Sequence, residues 1–192
     1  MSTLRDLDLK DEYRTKENPP LRFYIDCLEN SIKFDRSAGY FTSSGISKAA
    51  QGFSHFIKKG GKIRLIVSPS LSEEDVYAIK EGYETRDDII KSSMLKTIES
   101  VKFGKERERF KTLCWLVAKG HIDIKVAIRI NDKGIPQRGI YHEKMGVFYD
   151  EESNMVAFSG SSNETQGGWV TNFESIDVFT SWKAENDKER AE

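Results

Sequence analysis

An α/β sandwich on a mixed sheet is the fold class the sequence predicts, on three observations. Apolar runs of strand length alternate with stretches of helical periodicity through most of the chain. Two short apolar strands near the end, the first opened by His142 and Lys144 and the second Met155 to Phe158, are separated only by Asp150-Glu151-Glu152-Ser153-Asn154, a hairpin connection that adds antiparallel pairing. With 192 residues and a 38% apolar fraction, the chain is long enough for one core.

Residues 1–20 are charged and end in Asn18-Pro19-Pro20, which stops regular structure, so they are expected to form an N-terminal arm. Residues 21–182 are expected to form the domain. Leu21, Tyr24, Ile25 and Leu28 fall at helical spacing and predict a helix from Leu21 to Asn30 with a buried stripe. Ile32 to Thr42 predicts a strand entering a sheet covered on both faces. Thr42-Ser43-Ser44-Gly45 supplies cap chemistry for a helix carrying Ile46, Ala49, Ala50, Phe53, Phe56 and Ile57. Amides at that helix start, with Ser43 and Ser44, are candidate phosphate contacts; a plain cap is the simpler reading.

Gly60-Gly61 ends this helix, and the continuous apolar run Ile63 to Val67 predicts a central parallel strand. Strand, helix and strand then make one crossover unit. Ser72-Glu73-Glu74-Asp75 predicts a capped helix start, followed by helical stretches through Ile89 to Ile98 and Phe110 to Val117. Between them Lys102 to Arg109 interleaves acids with its bases, as a solvated helix face does. Ile122, Ile124, Val126, Ile128 and Ile130 alternate along a further strand, and His121 belongs to the turn before it. His55, inside its helix, reads as packing or surface. After the hairpin, Ile176 to Trp182 predicts a last strand, and residues 183–192 a charged helical tail or a connection to a further domain.

The 30 basic and 31 acidic side chains nearly cancel, so a nucleic-acid surface has to be a local patch. Cys27 and Cys114 sit far apart in helical patterns, which predicts reduced thiols and, with no leader or membrane-length apolar run in view, a cytoplasmic protein without membrane partners. No His/Cys or spaced-carboxylate cluster predicts a metal site, and no cofactor is implied.

The residues with chemistry to offer gather around the hairpin. His142 and Lys144 open its first strand, and period-2 geometry points both side chains the same way. The second strand runs into Gly160-Ser161-Ser162-Asn163, a turn rich in neutral donors. A histidine beside a fixed cation, with Ser161 and Asn163 opposite, suits attack on a phosphodiester. Arg129, Lys133 and Arg138 precede His142 and are candidates for flanking phosphates or for loop solubility alone.

HEKMGVFYD followed by GSSN resembles the His-x-Lys and Gly-Ser-x-Asn halves of the phospholipase D superfamily motif. Glu174, eleven residues beyond Asn163, matches the acidic residue that contacts the catalytic histidine in single-motif nucleases of that superfamily. The tail SGSSNETQGGWVTNFESIDVFTSW is similar to the end of such domains fused to helicases and restriction or defence proteins. One position departs: the superfamily aspartate falls at Tyr149, and Asp150, one residue late, faces the other way and is expected to serve the turn.

The resemblance implies a three-layer α/β/α sandwich, and a homodimer that joins two copies of the single motif. It implies a phosphohistidine on His142, phosphate oxygens held by Lys144 and Asn163 with help from Ser161, and Glu174 orienting the His142 ring. DNA is the substrate it favours. The alternatives are a non-catalytic nucleic-acid-binding or assembly module of a larger protein, and a phospholipase or phosphatidyl transferase.

Overall fold

The computed structural model describes residues 2–16, 19–38, 49–67, 115–134, 141–161 and 174–191. In chain order its strands and helices are β1 (Glu12–Arg14), α1 (Pro20–Glu29), β2 (Lys33–Ala38), α2 (Ala50–Lys58), β3 (Lys62–Val67), β4 (Ile122–Val126), β5 (Met145–Tyr149), β6 (Met155–Gly160), β7 (Ser175–Thr180) and α3 (Glu185–Ala191). The strands form one seven-stranded sheet in the order β1-β7-β6-β5-β2-β3-β4. β2, β3 and β4 run parallel, while β5, β6, β7 and β1 add antiparallel. The sheet is mixed, as the alternation followed by a hairpin predicts.

One face is packed with rings. Phe23 and Tyr24 of α1 meet Phe148 and Phe158, and Phe34 stacks on Phe148 with centroids 4.2 Å apart. Each fully buried ring contributes roughly 1.5–3 kcal/mol through the area it removes from water. Gly146 makes the interdigitation possible, because a Cβ there would sit 2.6 Å from the Phe158 ring. α2 lies against α1, and Gly52 allows the approach, since its Cβ would meet the Ile25 carbonyl oxygen at 3.0 Å. α3 covers the other face over β6 and β7: its Arg190 guanidinium lies 3.8 Å from the centre of the Phe179 ring, which alternates with the buried Val178 and Thr180.

Four expectations need correction. Residues 2–16 are no detached arm: β1 pairs with β7, and Leu4, Leu9 and Tyr13 enter the core. The buried stripe of α1 is Pro20, Phe23, Tyr24, Cys27 and Leu28, with Leu21 and Ile25 only partly covered. The sheet that Ile32 to Thr42 is expected to enter is not covered on both faces: in β3 Lys62, Arg64 and Ile66 are exposed and alternate with buried Ile63 and Leu65. β4 stops at Val126, short of Ile130. The helical stretches between Ser72 and Phe110 lie outside the described residues, as does Cys114.

The hairpin forms as read. Tyr149 faces Met155 in the ladder, and Asp150 accepts backbone hydrogen bonds from Glu152 (3.0 Å), Asn154 (2.9 Å) and Leu4 (3.0 Å). Its carboxylate therefore ties the turn to the N-terminal segment. His121 binds the Gly61 carbonyl at 3.1 Å in its connection, and exposed His55 lies over Gln51. No helix among the described residues is long and apolar enough to cross a membrane.

Candidate active site

Strand direction gathers the polar chemistry at one end of the sheet. The ends of β2 and β6 and the starts of β5 and β7 all lie there, since Ser37 pairs with Met145, Met145 with Ser159, and Gly160 with Ile176. The extended residues before β5 bring His142 and Lys144 to this end, and the Gly160 amide donates to the Lys144 carbonyl at 3.1 Å. Ser161 is thereby fixed beside Lys144.

His142 is exposed, whereas Lys144 keeps only 9% of its surface. The Lys144 Nζ lies 3.0 Å from His142 Nε2, 3.2 Å from its Nδ1 and 3.0 Å from its backbone carbonyl oxygen. Period-2 geometry thus does put the ammonium against the imidazole. Burial, then the nearby Arg36 guanidinium, hold Lys144 below its ordinary pKa, and the Glu174 carboxylate pulls the other way. Arg36 is itself 3% exposed and lies over the Phe158 ring at 4.9 Å. Among the described residues, two buried cations and the buried carboxylate of Glu174 leave this cluster with excess positive charge, a setting that favours an anion.

On the opposite strand, Ser161 Oγ donates to Glu174 Oε2 and accepts from the Ser175 amide at 3.2 Å. Gly160 is needed for this approach, because a Cβ there would overlap the Ser175 carbonyl oxygen. The Glu174 backbone is held in turn by Thr15, whose hydroxyl accepts from the Glu174 amide at 2.8 Å and whose own amide donates to the Glu174 carbonyl at 3.1 Å. The N-terminal segment therefore positions the carboxylate.

His142 and Lys144 lie together at this end of the sheet, beside the pair made by Ser161 and Glu174. Asn163, Arg138, Ser43 and Ser44 lie outside the described residues. Arg129 and Lys133 are exposed beyond the end of β4, which β2 and β3 separate from β5 by a span of about 14 Å at ordinary strand spacing. Sequence reasoning missed Arg36 and Thr15. Arg36 had a readable mark, a cation two residues from Phe34 on the apolar face of a strand. Thr15 had none.

The α/β domain thus sets an exposed histidine on a buried lysine at its strand ends, with a serine-carboxylate pair alongside. The family described as cardiolipin synthase, PLD-like domain, matches residues 25–190, and the chain belongs to it. Membership places it among phosphodiester hydrolases. Among solved structures it is similar to NucT from Helicobacter pylori, with 16% identity, a TM-score of 0.50, and coverage of 88% of this chain and 81% of that one. It is also similar to phosphatidylserine synthase from Haemophilus influenzae, with 11% identity, a TM-score of 0.55, and coverage of 96% of this chain and 39% of that one. Nuc, a phospholipase D family member from Salmonella typhimurium, has 12% identity, a TM-score of 0.46, and coverage of 87% and 79%. At these identities the likeness is one of fold. No curated protein matches the sequence.

Proposed function

We propose that the chain is a nuclease that cleaves DNA through a covalent phosphohistidine on His142, in a site shared by two copies. The observation that carries this reading is the contact of a buried Lys144 Nζ with both ring nitrogens of an exposed His142. The ring is open to an incoming phosphorus and to a second copy. The ammonium beneath it stands where negative charge builds as the phosphorus gains a fifth bond.

In the first step a ring nitrogen of His142 forms a bond to phosphorus, and the bond from phosphorus to the leaving oxygen breaks. His142 of a second copy gives that oxygen a proton. Water then attacks the phosphohistidine, the second histidine takes its proton, and the P–N bond breaks. Lys144 and Asn163 bind nonbridging oxygens, and Ser161 assists. Glu174 neutralises and orients the site, with Ser161 and Thr15 holding it in place. Arg129, Lys133, Arg138, Ser43 and Ser44 are assigned to flanking phosphates, where each cation adds salt-sensitive affinity. A helicase-linked or restriction setting rests on the likeness of the tail alone.

The test is cleavage of single- and double-stranded DNA in excess EDTA by the sized protein, beside His142→Ala. The proposal expects a dimer whose cleavage survives EDTA and falls at least about a thousandfold in the variant. A dimer that leaves DNA intact while turning over phosphatidyl substrates would replace the DNA assignment with the lipid one. Equal cleavage by His142→Ala would remove His142 as nucleophile.

A further inference from the structure

The groove on the sheet face away from the aromatic core is a candidate for a second contact with substrate. It encloses about 300 Å³ across β2, β3, β4 and β5. Ile66, Met145 and Val147 form an apolar floor, with Ile66 39% and Met145 48% exposed. Tyr141 stands at one end, and Arg64 and Lys125 lie along the side. The Tyr141 hydroxyl donates to Glu143 Oε2 at 2.7 Å, which fixes the ring. Ser37 and Asp35 bring a hydroxyl and a carboxylate to the same space.

We propose that this groove binds an unpaired nucleobase next to the scissile phosphate, which makes single-stranded nucleic acid the preferred substrate; this rests on the nuclease reading of His142. Tyr141 directly precedes His142, and Met145 directly follows Lys144. Groove and catalytic pair therefore adjoin through consecutive residues, whose Cα atoms lie about 3.8 Å apart. Alternation then turns Tyr141 and Met145 to one face and His142 and Lys144 to the other. A strand crossing the end of the sheet presents a phosphate to His142 and lays the adjoining base on the floor, against Tyr141. Stacking of this kind is tolerant of base identity.

The polar groups decide between a base and a lipid acyl chain. Asp35 accepts two hydrogen bonds from Arg64, one of 2.6 Å from Nε and one of 2.5 Å from Nη2, and it also meets Lys33 at 3.1 Å. A wall with this ion pair, the Ser37 hydroxyl and Lys125 offers donors and acceptors to a base edge and charge to a phosphate. An acyl chain would desolvate the same groups without replacing their hydrogen bonds. A paired base cannot enter without leaving its duplex, which costs a few kcal/mol.

The experiment uses fluorescence anisotropy of a labelled oligothymidylate with the full chain carrying His142→Ala, so that binding is read without cleavage. Adding Tyr141→Ala should weaken binding by about tenfold, the loss of one stacked base. Tyr141→Phe should bind like the parent, and Lys125→Glu, at an exposed position, should weaken binding and flatten its salt dependence. A blunt duplex should bind more weakly than the single strand. Duplex binding equal to single-strand binding, with Tyr141→Ala and Lys125→Glu both without effect, would overturn the proposal. So would failure to bind oligothymidylate while dioctanoyl phosphatidylglycerol binds in a Tyr141-dependent way. If oligothymidylate binds as expected but the unmodified chain cuts no DNA, the nuclease reading falls and the groove stands.

Discussion

The two faces of the sheet treat charge in opposite ways. On the α1 face, Arg36 and Lys144 are buried, and Arg36 lies over the Phe158 ring. On the other face, Lys33, Asp35 and Arg64 pair in view of solvent, and Lys33 covers the Tyr149 ring at 4.1 Å. Charges held in a low dielectric act strongly on an anion and on each other, while exposed pairs are screened. On the proposed reading, the packed face holds the reacting groups and the open face receives substrate.

The sharpest way to break this contrast is Lys144→Met. Removing the donor against His142 is expected to lower phosphodiester cleavage by about a hundred- to a thousandfold in single-turnover assays. The same variant gives a stability test with a definite sign. Lys144 has a folded pKa below its ordinary 10.5, so between the two values the unfolded chain binds more protons and stability rises with pH. Urea unfolding of the unmodified chain should gain on Lys144→Met as pH climbs toward 10.5. Flat curves would mean that burial does not tax this ammonium.

Gly160→Ala tests the packing that joins the two halves of the site. A methyl group would strike the Ser175 carbonyl and approach the Ile176 Cα at 2.8 Å. Strand separation or strain on this scale should cost about 3 kcal/mol, read as a lower urea midpoint. Thr15→Val tests the clamp on Glu174: the Glu174 amide loses its acceptor, which costs about 1 kcal/mol, and cleavage should fall severalfold. Unchanged activity would mean that Glu174 stays in place without the N-terminal segment.

The smallest effect belongs to the open face. Burial alone would raise the Asp35 pKa, but hydrogen bonds from Arg64 and Lys33 outweigh it and lower the pKa from 3.8. The pairing therefore stabilises the protein above that pH and is lost as pH falls through the folded pKa. Asp35→Asn should cost at most about 1 kcal/mol at neutral pH, and nothing once the acid limb is passed. A larger loss at neutral pH would move this pair into the class of buried charges.

The same contrast explains what could be read in the sequence. The hairpin, the common direction of His142 and Lys144, and the structural duty of Asp150 all follow from local period and turn chemistry, and all are found. β1 is three residues long and depends on β7 more than 150 positions away in sequence, so no periodicity marks it, and Thr15 is hidden with it. The run Ile63 to Val67 suggested a central parallel strand in a covered sheet, yet what covers a face is decided by tertiary packing, and Ile66 borders the groove. In α1, Phe23 and Cys27 displaced Leu21 and Ile25 from the core because both helix stripes are apolar and only the sheet's rings choose between them.

The measurement that tests the central claim most directly is intact-protein mass spectrometry after a single turnover, quenched in base to preserve P–N bonds, with fragmentation to place the adduct. A phosphoryl-DNA adduct on His142 that forms and decays at the rate of cleavage is the predicted result. Cleavage with no adduct, or with an adduct on another residue, would contradict the assignment of His142 as the nucleophile.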